Sequence, residues 1–253
     1  MYFDSHAHYD DKAFNKDREE LLTTLPDRGV SLVLNPGCDR SSSESAIAIS
    51  ERFSYIYAAV GWHPHDAKNF ESEGGEEFIL SRTAHERVMA VGEIGLDYHY
   101  DHSPRDVQRE VFTRQMELAR ELNMPVIVHD REAHADVLET LRRFPELRGV
   151  MHCYSGSAEF AREILALGWH ISFTGAVTFK NARQAIEALE RIPLDRLMIE
   201  TDAPYMSPEP YRGKRCDSGY LEFVVRRIAE VKGESEERIA EITMANAREF
   251  FGI

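Results

Sequence analysis

The strongest constraint in this sequence is an alternation that runs the length of the chain. Eight short apolar or β-branched runs fall at residues 2–6, 30–36, 56–62, 88–93, 125–129, 149–152, 169–174 and 197–202. Helical patterns separate them, over about 16–25, 42–52, 133–144, 158–167, 182–191, 220–232 and 236–250, with the clearest beginning near residue 103. There Ser103-Pro104-Arg105-Asp106 reads as a capping serine, a proline at the first helical position and an acid behind it. Val107, Val111, Leu118 and Leu122 then recur on one helical face. Eight strand–helix units in 253 residues have the length and period of a single-domain α/β protein of the (β/α)8 TIM-barrel type, spanning residues 1–253. A doubly wound open sheet is the alternative, but its glycine-rich phosphate turn after an early strand is missing.

In such a barrel the chemistry sits at the C-terminal ends of the strands. The polar residues of this sequence collect at those ends. The first run closes on His6-Ala7-His8, whose two imidazoles point the same way on an extended chain. The fourth closes on Gly92-Glu93-Ile94-Gly95, a carboxylate costly to bury unpaired. The fifth delivers His129 after four apolar or proline-led positions, the sixth His152, and the eighth Asp202. One histidine at a strand end is most simply a hydrogen-bonded core residue. Ligand-type residues on five strand ends together point to a metal site. Four imidazoles and two carboxylates suit Zn²⁺ or Mn²⁺, with Mg²⁺, Ni²⁺ or Co²⁺ also admissible, rather than Ca²⁺. Six ligands exceed what one catalytic ion needs, so two divalent ions sharing a bridging carboxylate are expected. The third run ends Trp62-His63-Pro64-His65, and both histidines read as groups that contact a phosphate or support the ligands. Arg131, just past His129, and the cations Arg212, Lys214 and Arg215 in a proline-flanked loop read as substrate-anion contacts.

These segments resemble the TatD family of metal-dependent deoxyribonucleases within the amidohydrolase-like barrels. The resemblance rests on Asp4-Ser5-His6-Ala7-His8, Gly61-Trp62-His63-Pro64-His65, Gly92-Glu93-Ile94-Gly95-Leu96-Asp97, His129-Asp130-Arg131, His152-Cys153-Tyr154-Ser155-Gly156 and Glu200-Thr201-Asp202-Ala203-Pro204-Tyr205, in order along the chain. It implies that His6, His8 and Asp202 hold one ion, that His129 and His152 hold the other, and that Glu93 bridges them. It also implies 3′ exonuclease action on single-stranded DNA. In the mechanism expected on this basis a metal-activated water attacks phosphorus, Asp202 takes its proton and Glu93 holds the ions together. One departure lies in the substrate loop: after Arg215 the chain reads Cys216-Asp217-Ser218-Gly219, where the family commonly has asparagine and then proline. Hydrolysis of a small phosphoester, amide or lactone would use the same ligands, and a metal-containing binding protein without catalysis is the rival from another class.

Composition sets the boundaries of this reading. No run of about 18 apolar residues is present, so no membrane span is expected. No signal-peptide pattern opens the chain, and Cys38, Cys153 and Cys216 are widely spaced, which fits a cytoplasmic protein without disulfides, acting as a monomer or weak oligomer. The formal net charge of −14 argues against a broad basic surface that grips duplex DNA. It is compatible with a small footprint on a strand end, because divalent ions would bring positive charge to the point of contact.

Overall fold

The computed structural model describes residues 1–253. Its strands are β1 (Tyr2–Asp4), β2 (Val30–Pro36), β3 (Ile56–Val60), β4 (Val88–Asp97), β5 (Val126–Arg131), β6 (Gly149–Met151), β7 (His170–Phe173) and β8 (Leu197–Ile199). They pair in sequence order, every pair parallel. The helices are α1 (Arg18–Thr24), α2 (Arg40–Arg52), α3 (Gly75–Arg82), α4 (Arg105–Leu122), α5 (His134–Arg142), α6 (Ala158–Ala166), α7 (Arg183–Arg191), α8 (Leu221–Lys232) and α9 (Glu236–Phe251). The eight-stranded TIM-type barrel expected from the sequence is therefore the fold. None of its helices is long and apolar enough to cross a membrane.

The barrel closes through residues just beyond its first and last strands. Asp202 N donates to the His6 carbonyl (2.9 Å) and His8 N to the Ala203 carbonyl (2.7 Å). Asp4, fully buried, accepts from Thr201 N (2.9 Å) and Thr201 Oγ1 (2.5 Å). The seam thus runs through the segments that carry His6, His8 and Asp202. Inside the barrel, Phe3, Leu34, Ala59, Ala90, Ile127, Val150 and Met198 pack together, each from a different strand. Ala247, Phe250 and Phe251 of α9 join them and plug the end opposite the site. A larger apolar layer lies between the sheet and its helices.

Two glutamines of α4 fix strand ends by acting as surrogate ladder partners. Gln108 accepts from Asp97 N (2.8 Å) and donates to Asp97 O (3.1 Å), and Gln115 does the same for Trp62 N (2.7 Å) and Trp62 O (3.0 Å). Both are buried, so each side-chain amide satisfies a backbone unit that the neighbouring strand does not reach. Two local expectations change. Ser103 does not cap α4; Pro104 holds the cap position, and the Ser103 hydroxyl donates instead to the His65 carbonyl (2.8 Å) and accepts from Lys68 N (3.1 Å). Helix α3 was not anticipated, because Glu73-Gly74-Gly75-Glu76-Glu77 reads as loop composition. Its anchor is tertiary: Phe78 and Ile79 are buried against Trp62 and its neighbours.

Candidate metal centre

The ligand-type residues converge at the C-terminal mouth of the barrel, around Glu93. This carboxylate is 3% exposed, so its partners decide its state. Its two oxygens face different groups. Oε2 lies 3.2 Å from His6 Nε2 and 3.5 Å from His8 Nε2. Oε1 lies 2.9 Å from His129 Nδ1, 2.9 Å from His152 Nε2 and 3.5 Å from His63 Nε2. Asp202 Oδ1 completes the first group, 3.6 Å from His8 Nε2 and 3.9 Å from His6 Nε2. The rings of His6 and His152 stack at 3.9 Å and join the two halves.

Glu93 and His129 point into the mouth from within β4 and β5, whereas the others lie just past the ends of their strands. β1 stops at Asp4 and β6 at Met151, which frees His6, His8 and His152 to turn into the mouth, while β4 runs on past Glu93 to Asp97. Asp202 sits in the left-handed region, φ 55°, held by its backbone bond across the seam.

The charge state of the two carboxylates suits cations. Burial works to raise the Glu93 carboxyl, but the imidazoles of His152, His63 and His6 outweigh it and hold it well below the usual carboxylate range. Burial likewise works to raise Asp202, and His8 and His152 overcome it. Burial keeps His63 neutral, its pKa well below that of a free imidazole. Asp97 orients His129: its Oδ2 accepts from His129 Nε2 at 3.3 Å and from His65 Nε2 at 2.9 Å. Burial works to lower His129, but its hydrogen bonds to Asp97 and Glu93 outweigh it and raise the imidazole, so its Nδ1 carries a proton toward Glu93 Oε1 at 2.9 Å that a bound cation would replace. His6 Nε2 and His8 Nε2 face each other at 3.0 Å, with carboxylate oxygens on both sides. The donor set therefore fits divalent metal ions, and three groupings of it bring their ligand atoms within 4.8 Å of one another: His6, His152, Asp202; His6, His8, Glu93; and His63, Glu93, His129.

Sequence reasoning gathered His6, His8, Glu93, His129, His152 and Asp202, and all six meet here. His63, expected to contact a phosphate or to support the ligands, stands against Glu93 among the ligand atoms. His65 lies one step outward on Asp97, where its side chain is 28% exposed. The supporting carboxylates were missed. Asp97 also takes His99 N (3.0 Å) and Tyr100 N (2.9 Å) on Oδ1, so one residue holds His129, His65 and the loop after β4. Glu200 accepts from Cys153 N (2.5 Å) and stands 3.3 Å from His152 Nδ1. The sequence signal was strand parity: Asp97 is four residues past Glu93 on the same strand and shares its face. Cys38 was also unforeseen at this site. Its thiol lies 3.9 Å from Glu93 Oε2 and 4.0 Å from His8 Nδ1, and burial pushes it up to about 12, so it stays protonated.

The cations expected at the substrate divide into two kinds. Arg131 is half-buried, its guanidinium 4.7 Å from the centre of the Tyr100 ring. Arg212 rests on Phe179 (4.2 Å) and Lys214 is exposed beside Tyr211. Arg215 is engaged elsewhere, donating to both oxygens of Asp17 (2.7 and 2.6 Å) and to Ala13 O (2.9 Å). Its task in this structure is to tie the loop down near the start of α1. Asp97→Asn, which keeps the shape and loses the charge, is expected to weaken metal affinity by about 10- to 100-fold, as loss of a carboxylate behind a ligand histidine does. Metal titration of the purified variant checks this; unchanged affinity would leave Asp97 as a loop anchor only.

The site geometry can be set beside known proteins. The family described as TatD related DNase matches residues 3–252. The YabD protein of Bacillus subtilis, described as a metal-dependent hydrolase, is 44% identical over the full length of both chains. A 3′-5′ ssDNA/RNA exonuclease TatD of Citrobacter rodentium is 34% identical, covering 99% of this chain and 98% of the relative. Among solved structures, the TatD homologue YJJV of Escherichia coli K12 superposes with a TM-score of 0.93 at 28% identity, over 100% of this chain and 98% of that one.

Proposed function

This chain belongs to the TatD-related DNase family and is a metal-dependent hydrolase acting on ester bonds, and from that premise we propose that it is a two-metal 3′ exonuclease of single-stranded DNA. The observation that carries the two-metal part is the division of Glu93, one oxygen toward His6 and His8 and the other toward His129 and His152. In this reading His6, His8 and Asp202 hold one ion, His129 and His152 the other, Glu93 is common to both, and His63 stands ready beside the second set. When bound, two divalent ions supply an activated water and neutralise the charge that builds on a phosphoryl group.

The chain's own residues do the rest. Asp202 is ionised and lies at the mouth, so it accepts the proton of the attacking water as general base. Asp97 and Glu200 keep His129 and His152 aimed inward. Arg131, His65, Arg212 and Lys214 stand at the mouth to meet substrate phosphates. The DNA preference and the 3′ polarity rest on the family resemblance and on the exonuclease-named relative. The net charge of −14 weighs against a long duplex footprint and in favour of a strand end.

The test uses end-labelled single-stranded DNA. Protein stripped by chelation is expected to release no nucleotides, and return of Mn²⁺, Zn²⁺ or Mg²⁺ restores release from the 3′ end. Asp202→Asn is expected to stay folded and lose at least about 10²-fold in kcat. Full activity in the chelated protein or in Asp202→Ala would sink the proposal. So would a parallel panel in which a lactone or phosphomonoester is turned over and DNA is not.

A further inference from the structure

Aromatic side chains of this chain are buried or half-buried with two exceptions, Tyr100 at 49% exposure and Tyr205 at 54%. Both stand on loops at the metal end of the barrel, one after β4 and one after β8. Their surroundings differ. Tyr100 is already flanked: the Arg131 guanidinium lies 4.7 Å from its centroid and the His102 ring is stacked on it at 5.5 Å and 10°. Tyr205 has no such companion, and its ring is open to solvent.

The open ring is nevertheless held in place. Tyr205 N donates to the Asp202 carbonyl (2.8 Å), which sets the ring one turn from the general base. Its hydroxyl donates to Asp11 Oδ2 (3.1 Å), while the other oxygen of Asp11 accepts from Ala13 N (2.6 Å). Burial and then the Asp11 charge push the phenol up to about 12, so the hydroxyl keeps its proton and remains a donor. The loop that carries Arg212 and Lys214 is anchored one residue away, where Cys216 N donates to Pro204 O (2.9 Å). A fixed aromatic face, a metal-ligand carboxylate and a cationic loop therefore adjoin one another.

Resting on the exonuclease reading, we propose that Tyr205 is a stacking platform for the nucleobase next to the scissile phosphate, so that this site grips the strand end by a base as well as by its phosphate. A fixed, open aromatic face beside a metal-ligand carboxylate and a cationic loop suits a nucleobase, because base stacking tolerates every sequence. A ring pinned through its hydroxyl loses little further freedom when a base docks.

The experiment compares two single-stranded oligonucleotides that differ only in the 3′-terminal nucleotide, one ordinary and one abasic, using the full-length metal-loaded protein. Wild type is expected to prefer the base-bearing end by about tenfold in kcat/KM, the scale of one base–aromatic stack. In Tyr205→Ala that preference falls to near unity through a higher KM on the base-bearing end, with kcat little changed. Tyr205→Phe and Tyr205→Trp keep the preference, because they keep the ring. An unaltered preference in Tyr205→Ala overturns the proposal. So does a Phe variant that behaves like the Ala variant, since that would assign the effect to the Asp11 bond. If wild type releases no nucleotide from either oligonucleotide, the exonuclease reading falls and the platform with it.

Discussion

Glu93→Gln is expected to fold like the wild type, to lose tightly bound metal and to turn over roughly 10³-fold or more slowly, the scale at which removal of a central charge-stabilising group acts. The substitution keeps the volume of a side chain that is 3% exposed, so packing is preserved. It replaces an acceptor by an amide that must turn either its N–H groups or its single oxygen toward imidazoles on both sides. One orientation serves His6 and His8, the other His129 and His152, and no orientation serves both. Elemental analysis of the purified variant together with kcat checks the result. Wild-type metal content with wild-type turnover would show that Glu93 is not the shared ligand. The effect should exceed that of Asp97→Asn, which acts on one ligand through its far nitrogen.

Gly95→Ala is expected to be the most damaging single-methyl change in the barrel wall. Gly95 lies in β4 at φ 141°, where side chains are strained, and an added Cβ would stand 2.0 Å from the His129 carbonyl oxygen. That oxygen belongs to the paired residue on β5 and cannot retreat without pulling His129 from the ligand cluster. A loss of about 3–5 kcal/mol in unfolding free energy follows from strain and overpacking combined. Gly168→Ala provides the comparison: φ is 80° but nothing lies within 4 Å, so only the backbone penalty of about 1 kcal/mol applies. Urea denaturation of the two variants separates the contributions. A wild-type midpoint for Gly95→Ala would mean that β4 and β5 yield more readily than their pairing implies.

Much of the fold could be read from the sequence because each strand carries its own signal. β2 runs over 30–36, as the apolar pattern has it. The patterns for β1, β6 and β8 overshoot, since His6, His152 and Asp202 continue the apolar run in sequence but leave the ladder in space to face the mouth. Helix α3 escaped notice because its stability comes from Phe78 and Ile79 packing under Trp62, a contact that local composition does not announce. The ligand histidines were legible for the same reason the strands were: each follows an apolar run. Partnerships between distant segments were not. Nothing near Arg215 in the sequence points to Asp17, 198 positions away, and nothing around His65 shows that it shares Asp97 with His129. His63 could be flagged as a mouth residue, yet its approach to Glu93 depends on how β3 and β4 lie side by side.

The seam of the barrel has a thermodynamic side. Its first and last strands are joined by a few bonds, among them those from Asp202 to His6 and from Thr201 to Asp4, the latter pair 197 positions apart. The side chains that gather at this junction are those of His6, His8 and Asp202. A cation bound there would act as a removable cross-link between the two ends of the chain, closing a long loop of the kind whose entropy weighs most on folding. Occupancy and barrel closure are then linked by mass action: whatever competes for the ion also loosens the staple, and the folded population rises with free metal.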